Sequence, residues 1–253
     1  MSRIVLITGA TSGIGKACAF KFAKEDHKLI IAGRRADRLQ DIAMILKADH
    51  NVEVHVLELD VRDKEQVKNA ISGLPDEWKK IDVLVNNAGL ALGLSPFYDG
   101  LEEDWDTMID TNIKGLLYVG KAVANLMIEN TSGHIINIGS IAGKEVYPKG
   151  NVYSATKHAV DAITKGMRLD LLKEGIRVTQ VAPGAVETEF SNVRFKGDDE
   201  RASRVYEGYD PLLPEDVAEV VHFASSLPPR ANINDVVIMP TDQASATTFN
   251  KKT

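Results

Sequence analysis

Tyr153 and Lys157 stand four residues apart in a stretch with helical spacing, Tyr153 to Leu172, which sets a phenol and an ammonium on one helix face. A phenol ionises only near pH ~10, so acid–base work at neutrality requires something to stabilise the phenolate. A neighbouring cation supplies that. Ser140, just past the apolar run Ile135 to Ile138, adds a hydroxyl that can hold a substrate oxygen in line with the phenol. The same spacing also serves as an ordinary surface pair. Its meaning depends on what the rest of the chain brings to it.

Thr8-Gly9-Ala10-Thr11-Ser12-Gly13-Ile14-Gly15 follows the first apolar run and opens directly into a helical pattern. Glycines let a backbone turn tightly and approach a pyrophosphate, while the N–H groups of a helix start attract the anion. The spacing is not that of a nucleoside-triphosphate loop. Ala10 stands where its first glycine belongs, and Ala17 replaces the hydroxyl that would hold magnesium. A turn with no ligand is the plain alternative. The second apolar run ends Ile30-Ile31-Ala32-Gly33-Arg34-Arg35, without the acid that would bind a ribose 2′-hydroxyl. An arginine pair there suits a 2′-phosphate and hence NADP, whereas a solvated pair before a helix is the bland reading.

These residues need a scaffold, and the hydrophobic pattern provides one. Ile4–Ile7, Lys28–Ala32, Val52–Leu57, Asp82–Val85, His134–Ile138, Arg177–Val181 and Val236–Met239 are aliphatic runs with little alternation, as in parallel strands covered on both faces. Helical patterns separate them at Ile14–Glu25, Arg38–Lys47, Lys64–Leu74, Glu103–Glu129, Tyr153–Leu172 and Pro214–Ser226. Strand–helix alternation from end to end predicts an α/β fold, a Rossmann-type doubly wound parallel sheet in a single domain spanning residues 1–253. The one long irregular stretch, residues 185–211, reads as a substrate lid.

Composition narrows the function. Thirty basic residues against 36 acidic ones give a formal charge of −6, which argues against a nucleic-acid partner. No apolar run approaches bilayer length, so no membrane partner is expected. The start lacks the pattern of a secretion signal, which predicts a cytoplasmic protein in which Asn130-Thr131-Ser132 goes unglycosylated. Cys18 stands alone and reads as a packing residue. The six histidines are scattered without ligand spacing, so no metal is expected.

The set of motifs resembles the short-chain dehydrogenase/reductase family from end to end. Gly9, Thr11, Ser12, Gly13, Ile14 and Gly15 match its cofactor loop, Asp60-Val61 its adenine-contacting strand end, and Asn86-Asn87-Ala88-Gly89 its central-sheet segment. Asn112, Ser140, Tyr153 and Lys157 match its four catalytic positions, and Pro183-Gly184-Ala185-Val186-Glu187-Thr188 its nicotinamide-side segment. The resemblance implies hydride transfer with NADP, Tyr153 as general acid and base, Lys157 also gripping the nicotinamide ribose, and Asn112 holding a proton-relay water. It further implies a homotetramer packed through the helices Glu103–Glu129 and Tyr153–Leu172. The run Thr188 to Asp198 is similar to the lid of the family's NADP-dependent 3-hydroxy acid dehydrogenases, as are Asn86 to Gly93 and Asn232 to Thr241. They imply a small hydroxy acid substrate. Such an acid needs a cation for its carboxylate, and Arg194, or else Lys144, is placed to supply it. Pairing of Arg194 with Glu189 or Asp198 is the alternative. A broader carbonyl reductase for neutral ketones and a silent NADP-binding scaffold are the other functional readings.

Overall fold

Most of the apolar runs become strands whose aliphatic side chains are covered from both sides, but the last, Asp235–Ile238, departs from that expectation and leaves Val237 exposed. The computed structural model describes residues 2–252. Ile4–Thr8 (β1), Lys28–Gly33 (β2), Val54–Glu58 (β3), Ile81–Asn86 (β4), Gly133–Ile138 (β5), Ile176–Pro183 (β6) and Asp235–Ile238 (β7) form one sheet. The order is β3-β2-β1-β4-β5-β6-β7, with every pairing parallel. Successive side chains point to opposite layers. Val5, Ile7, Leu29 and Ile31 pack with Phe22 of Gly13–Lys24 (α1), Leu46 of Ala36–His50 (α2) and, further along the chain, Val221. Leu6, Ile30, Leu84 and Ile135 pack on the other side with Val67 of Lys64–Ser72 (α3) and, further along the chain, Val119 and Met127.

The chain winds outward from β1 to β3 and then returns to start the other half at β4. That reversal opens a crevice beyond the carboxyl ends of β1 and β4, where ligands bind in such sheets.

The structure departs from the sequence pattern at the long fourth helix. The continuous helix expected at Glu103–Glu129 is instead Glu102–Ile109 (α4), a π-helical turn at Asp110–Gly115, and Leu116–Glu129 (α5). The extra residue in the turn fits a close approach: a Cβ on Gly115 would meet the Val61 side chain at 2.7 Å. The β3 strand also begins later than the pattern suggests, because Asn51 ends α2 with φ +54 and residues 51–53 form the link. Further on lie Asn151–Asp170 (α6) and Pro214–Ser226 (α9). The stretch 185–211 contains two short helices, Phe190–Arg194 (α7) and Asp199–Ser203 (α8), which its polar composition concealed. Among the described residues no helix is long and apolar enough to cross a membrane.

Candidate active site

Strand ends from β1, β4, β5 and β6 meet around one cleft of about 340 Å³. Its floor is the glycine turn. Gly9 and Gly13 hold φ of +67 and +51, and a Cβ on Gly9 would strike Asn87 Nδ2 at 2.9 Å. Gly15 does not line the cleft but permits it, since a Cβ there would come within 2.4 Å of the Gly9 carbonyl oxygen. The Ser12 side chain does not cap α1, so the first-turn N–H groups of Gly13, Ile14 and Gly15 are left for an anion. Asn87, Ala88 and Gly89 form the facing wall. The Thr8 hydroxyl accepts from the Asn87 and Ala88 amides at 3.0 Å each, which ties that wall to the glycine turn.

Of the arginine pair, Arg35 is not merely solvated. Arg35 Nη2 donates to Thr11 Oγ1 (2.7 Å) and Ser12 Oγ (3.1 Å), while Arg34 stands exposed at the same rim. A third arginine joins them that sequence reading passed over. Arg38 Nη1 donates to both carboxylate oxygens of Glu189, at 2.9 and 3.1 Å, and Arg35 Nη1 reaches the same group at 3.3 Å. Asp60 and Val61 line the cleft beyond β3; hydrogen bonds from Arg62 hold the Asp60 carboxyl below its usual range. Pro183, Gly184, Val186 and Thr188 close the far side, with Thr188 packed on the turn so that a Cβ on Gly13 would meet its methyl at 3.2 Å.

Ser140, Tyr153 and Lys157 come together, all buried, at the end of the cleft beyond β5. Lys157 Nζ donates to the Ile138 carbonyl at 3.0 Å and lies 6.0 Å from the Tyr153 ring centre. Burial lowers its pKa to about 8. Burial also pushes the Tyr153 phenol up, with Tyr147 adding to the effect, against a hydrogen bond with Ser140 and the positive charge of Arg194. Among the chain's own groups desolvation outweighs the cations.

Asn112 sits apart from the cleft lining. Its Oδ1 accepts from the Leu90 amide (2.8 Å), and its Nδ2 donates to the Leu90 carbonyl (2.8 Å) and Thr156 Oγ1 (3.0 Å). The side chain thus clamps the backbone after Gly89 to α6. Its neighbour Thr111, on the same π-turn, does line the cleft, and its buried hydroxyl has no partner there.

Arg194 lies in an adjoining cavity of about 200 Å³ that shares Tyr153 with the main cleft. Its Nε donates to the Gly93 carbonyl at 3.0 Å, and its guanidinium carbon is 5.5 Å from the Tyr147 ring centre and 5.8 Å from that of Tyr153. Neither suspected partner takes it. Glu189 is held by Arg35 and Arg38, and Asp198 caps α8 by accepting from the Arg201 amide at 3.0 Å. Lys144, the other candidate cation, is a correction. It lines neither cavity and is held between Asp161 and Asp235, so its charge is spent on α6 and β7. Phe190, which sequence reading also missed, sets its ring edge-on to Tyr153 with centres 5.7 Å apart.

A doubly wound parallel sheet with a glycine turn at its switch point and a buried Ser–Tyr–Lys group beside it is the framework of a dinucleotide-dependent oxidoreductase. The sequence matches the short chain dehydrogenase family over residues 3–199, and the chain belongs to that family. It is 50% identical over 244 residues to the NADP-dependent 3-hydroxy acid dehydrogenase of Salmonella typhi, covering 96% of this chain and 97% of that one. It is 48% identical over 245 residues to sulfoacetaldehyde reductase 2 of Chromohalobacter salexigens, covering 96% of each. Its fold matches the closed form of a serine dehydrogenase complexed with NADP+ with a TM-score of 0.92 and 47% identity, over 99% of this chain and all of that one.

Proposed function

We propose that the protein is an NADP-dependent dehydrogenase of small 3-hydroxy acids such as L-serine, L-allo-threonine or 3-hydroxyisobutyrate, and that it reduces malonic semialdehyde in reverse. The observation that carries this reading is Arg194: a guanidinium beside Tyr153 with no acidic side chain within ion-pair distance among the described residues. A small acid docked there would place its hydroxyl by the phenol. The names of the relatives at 50% and 48% identity support an anionic substrate, carboxylate in one and sulfonate in the other.

The cleft suits the cofactor. The uncapped start of α1 fits a pyrophosphate, and Arg34 and Arg35, joined by Arg38, fit a 2′-phosphate. Asp60 and Val61 would flank the adenine. Asn87, Ala88 and Gly89 would lie along the middle of the cofactor, and Pro183, Gly184, Val186 and Thr188 along its nicotinamide side. When bound, NADP would supply the hydride acceptor for the alcohol carbon, and NADPH the hydride for the reverse reaction. Tyr153 accepts the hydroxyl proton as the carbonyl forms and gives it back in reduction. Ser140 donates to the substrate oxygen and fixes its line to the phenol. Lys157 holds the nicotinamide ribose and adds positive charge behind Tyr153, and Asn112 keeps the Leu90 backbone and α6 in register with them. Residues 185–211 act as a lid: Arg194 and Phe190 ride on it, and Lys196 pins it to Asp104 of α4 at 2.9 Å.

A homotetramer is part of the proposal. Leu169 and Leu172, at the end of α6 and just past it, are 75% and 72% exposed, an apolar surface that a symmetry mate would cover. Sedimentation of the purified protein tests this. The activity is tested by following NADP reduction with L-serine, its methyl ester and ethanolamine. The proposal requires turnover of the acid and little of the other two; equal turnover of all three, or of neutral ketones alone, would make it a general carbonyl reductase.

A further inference from the structure

We infer that Glu189 is an internal counter-anion of the 2′-phosphate site, exchanged for the phosphate when the cofactor binds, and that it thereby sets the affinity for the phosphorylated cofactor. The inference rests on the NADP reading above. The Glu189 carboxylate touches Arg35 at 3.3 Å and Arg38 at 2.9 and 3.1 Å, partners 154 and 151 positions earlier in the chain. To make these contacts the segment after β6 crosses the mouth of the cleft, passing Thr188 over Gly13 on the way. It ends on the two guanidiniums beside the end of β2, where the sheet delivers a ribose. Three charges then share one spot, and a phosphate dianion arriving there meets a carboxylate already in its place.

The exchange is physically cheap. The side chains of Arg35, Arg38 and Glu189 are 41%, 44% and 50% exposed, and solvated pairs of this kind contribute little. A phosphate offers more charge and more acceptor oxygens to the same forks. Arg35 keeps its orientation during the exchange, because Thr11 and Ser12 hold its Nε and Nη2 separately from Glu189. An unphosphorylated cofactor cannot displace the carboxylate, so Glu189 taxes only the phosphorylated one. The exchange also frees the residue just before α7, the helix that carries Phe190 and Arg194 to Tyr153.

The test is calorimetric titration of the full chain with adenosine 2′,5′-bisphosphate and with 5′-AMP, which differ only in the 2′-phosphate. Glu189→Gln should bind the bisphosphate roughly fivefold more tightly and 5′-AMP unchanged. Arg38→Met should weaken the bisphosphate and remove most of the gain when combined with Glu189→Gln. A wild-type protein that binds both probes equally would overturn the NADP reading itself. A wild-type preference for the bisphosphate that Glu189→Gln leaves unchanged or lowers would overturn the inference alone, making Glu189 a holder of the arginines rather than a competitor.

Discussion

The guanidinium carbon of Arg194 lies 5.8 Å from the centre of the Tyr153 ring, and Glu189 and Asp198, its two suspected partners, are engaged elsewhere. One cation thus serves two ends. It offsets part of the burial that pushes the phenol up, and in the proposed function its outer N–H groups take the substrate carboxylate. The carboxylate and the reacting hydroxyl of a short hydroxy acid are only a few bonds apart, so a single docking satisfies both.

Arg194→Ala should raise KM for L-serine by roughly 10- to 100-fold, the range of a lost charge-assisted contact. Arg194→Lys should recover part of it. Steady-state kinetics with serine and its methyl ester check this; equal losses on both would mean that Arg194 organises the lid without binding the carboxylate.

Tyr153→Phe should lower kcat by about 10²- to 10⁴-fold, the span of general acid–base catalysis. Binding of adenosine 2′,5′-bisphosphate should stay at the wild-type level, because Tyr153 lies at the opposite end of the cleft from Arg35. Measured together, the two show whether the phenol acts in the reaction or only in the fold.

Stability should carry the signature of buried Lys157. Burial lowers its pKa from 10.5 to about 8, so between those values the unfolded chain holds a proton that the folded one has released. Stability therefore rises with pH across that window, by at most about 3 kcal/mol, and the burial cost stands in full below it. Tyr153 works oppositely: its raised pKa keeps the folded phenol protonated while the unfolded one ionises, so stability falls above pH ~10. The urea midpoint of wild type should rise relative to that of Lys157→Met from about pH 8 to 10; a constant difference would show that the ammonium is solvated.

Lys144→Ala should leave KM for hydroxy acids unchanged and cost about 1–2 kcal/mol of stability, because it strips Asp161 and Asp235 of a shared cation. A large KM effect in that variant would return Lys144 to the substrate site.

The sheet was legible because parallel strands buried on both faces read as plain aliphatic runs, a pattern that Ile4–Ile7 carries without interruption and Ile135–Ile138 with only Asn137 inside it. Ser140, Tyr153 and Lys157 were legible because a helix spacing of four and a strand end fix their positions. The π-turn around Asn112 was not, since one extra residue in a helix leaves apolar periodicity almost intact over so short a length. Glu189 and Arg38 were hidden for a different reason. Their pairing spans 151 residues, and nothing local in either segment records it. The choice between Arg194 and Lys144 needed the structure as well, because only the acids around each decide which charge is free.

The central claim is tested most directly by mixing purified protein with NADP or NAD and L-serine or 3-hydroxyisobutyrate and following cofactor reduction by absorbance. Rapid reduction of NADP, slow reduction of NAD and loss of the signal in Tyr153→Phe are the results this account predicts. No reduction with any hydroxy acid, while NADPH is consumed by neutral aldehydes or ketones, would contradict it.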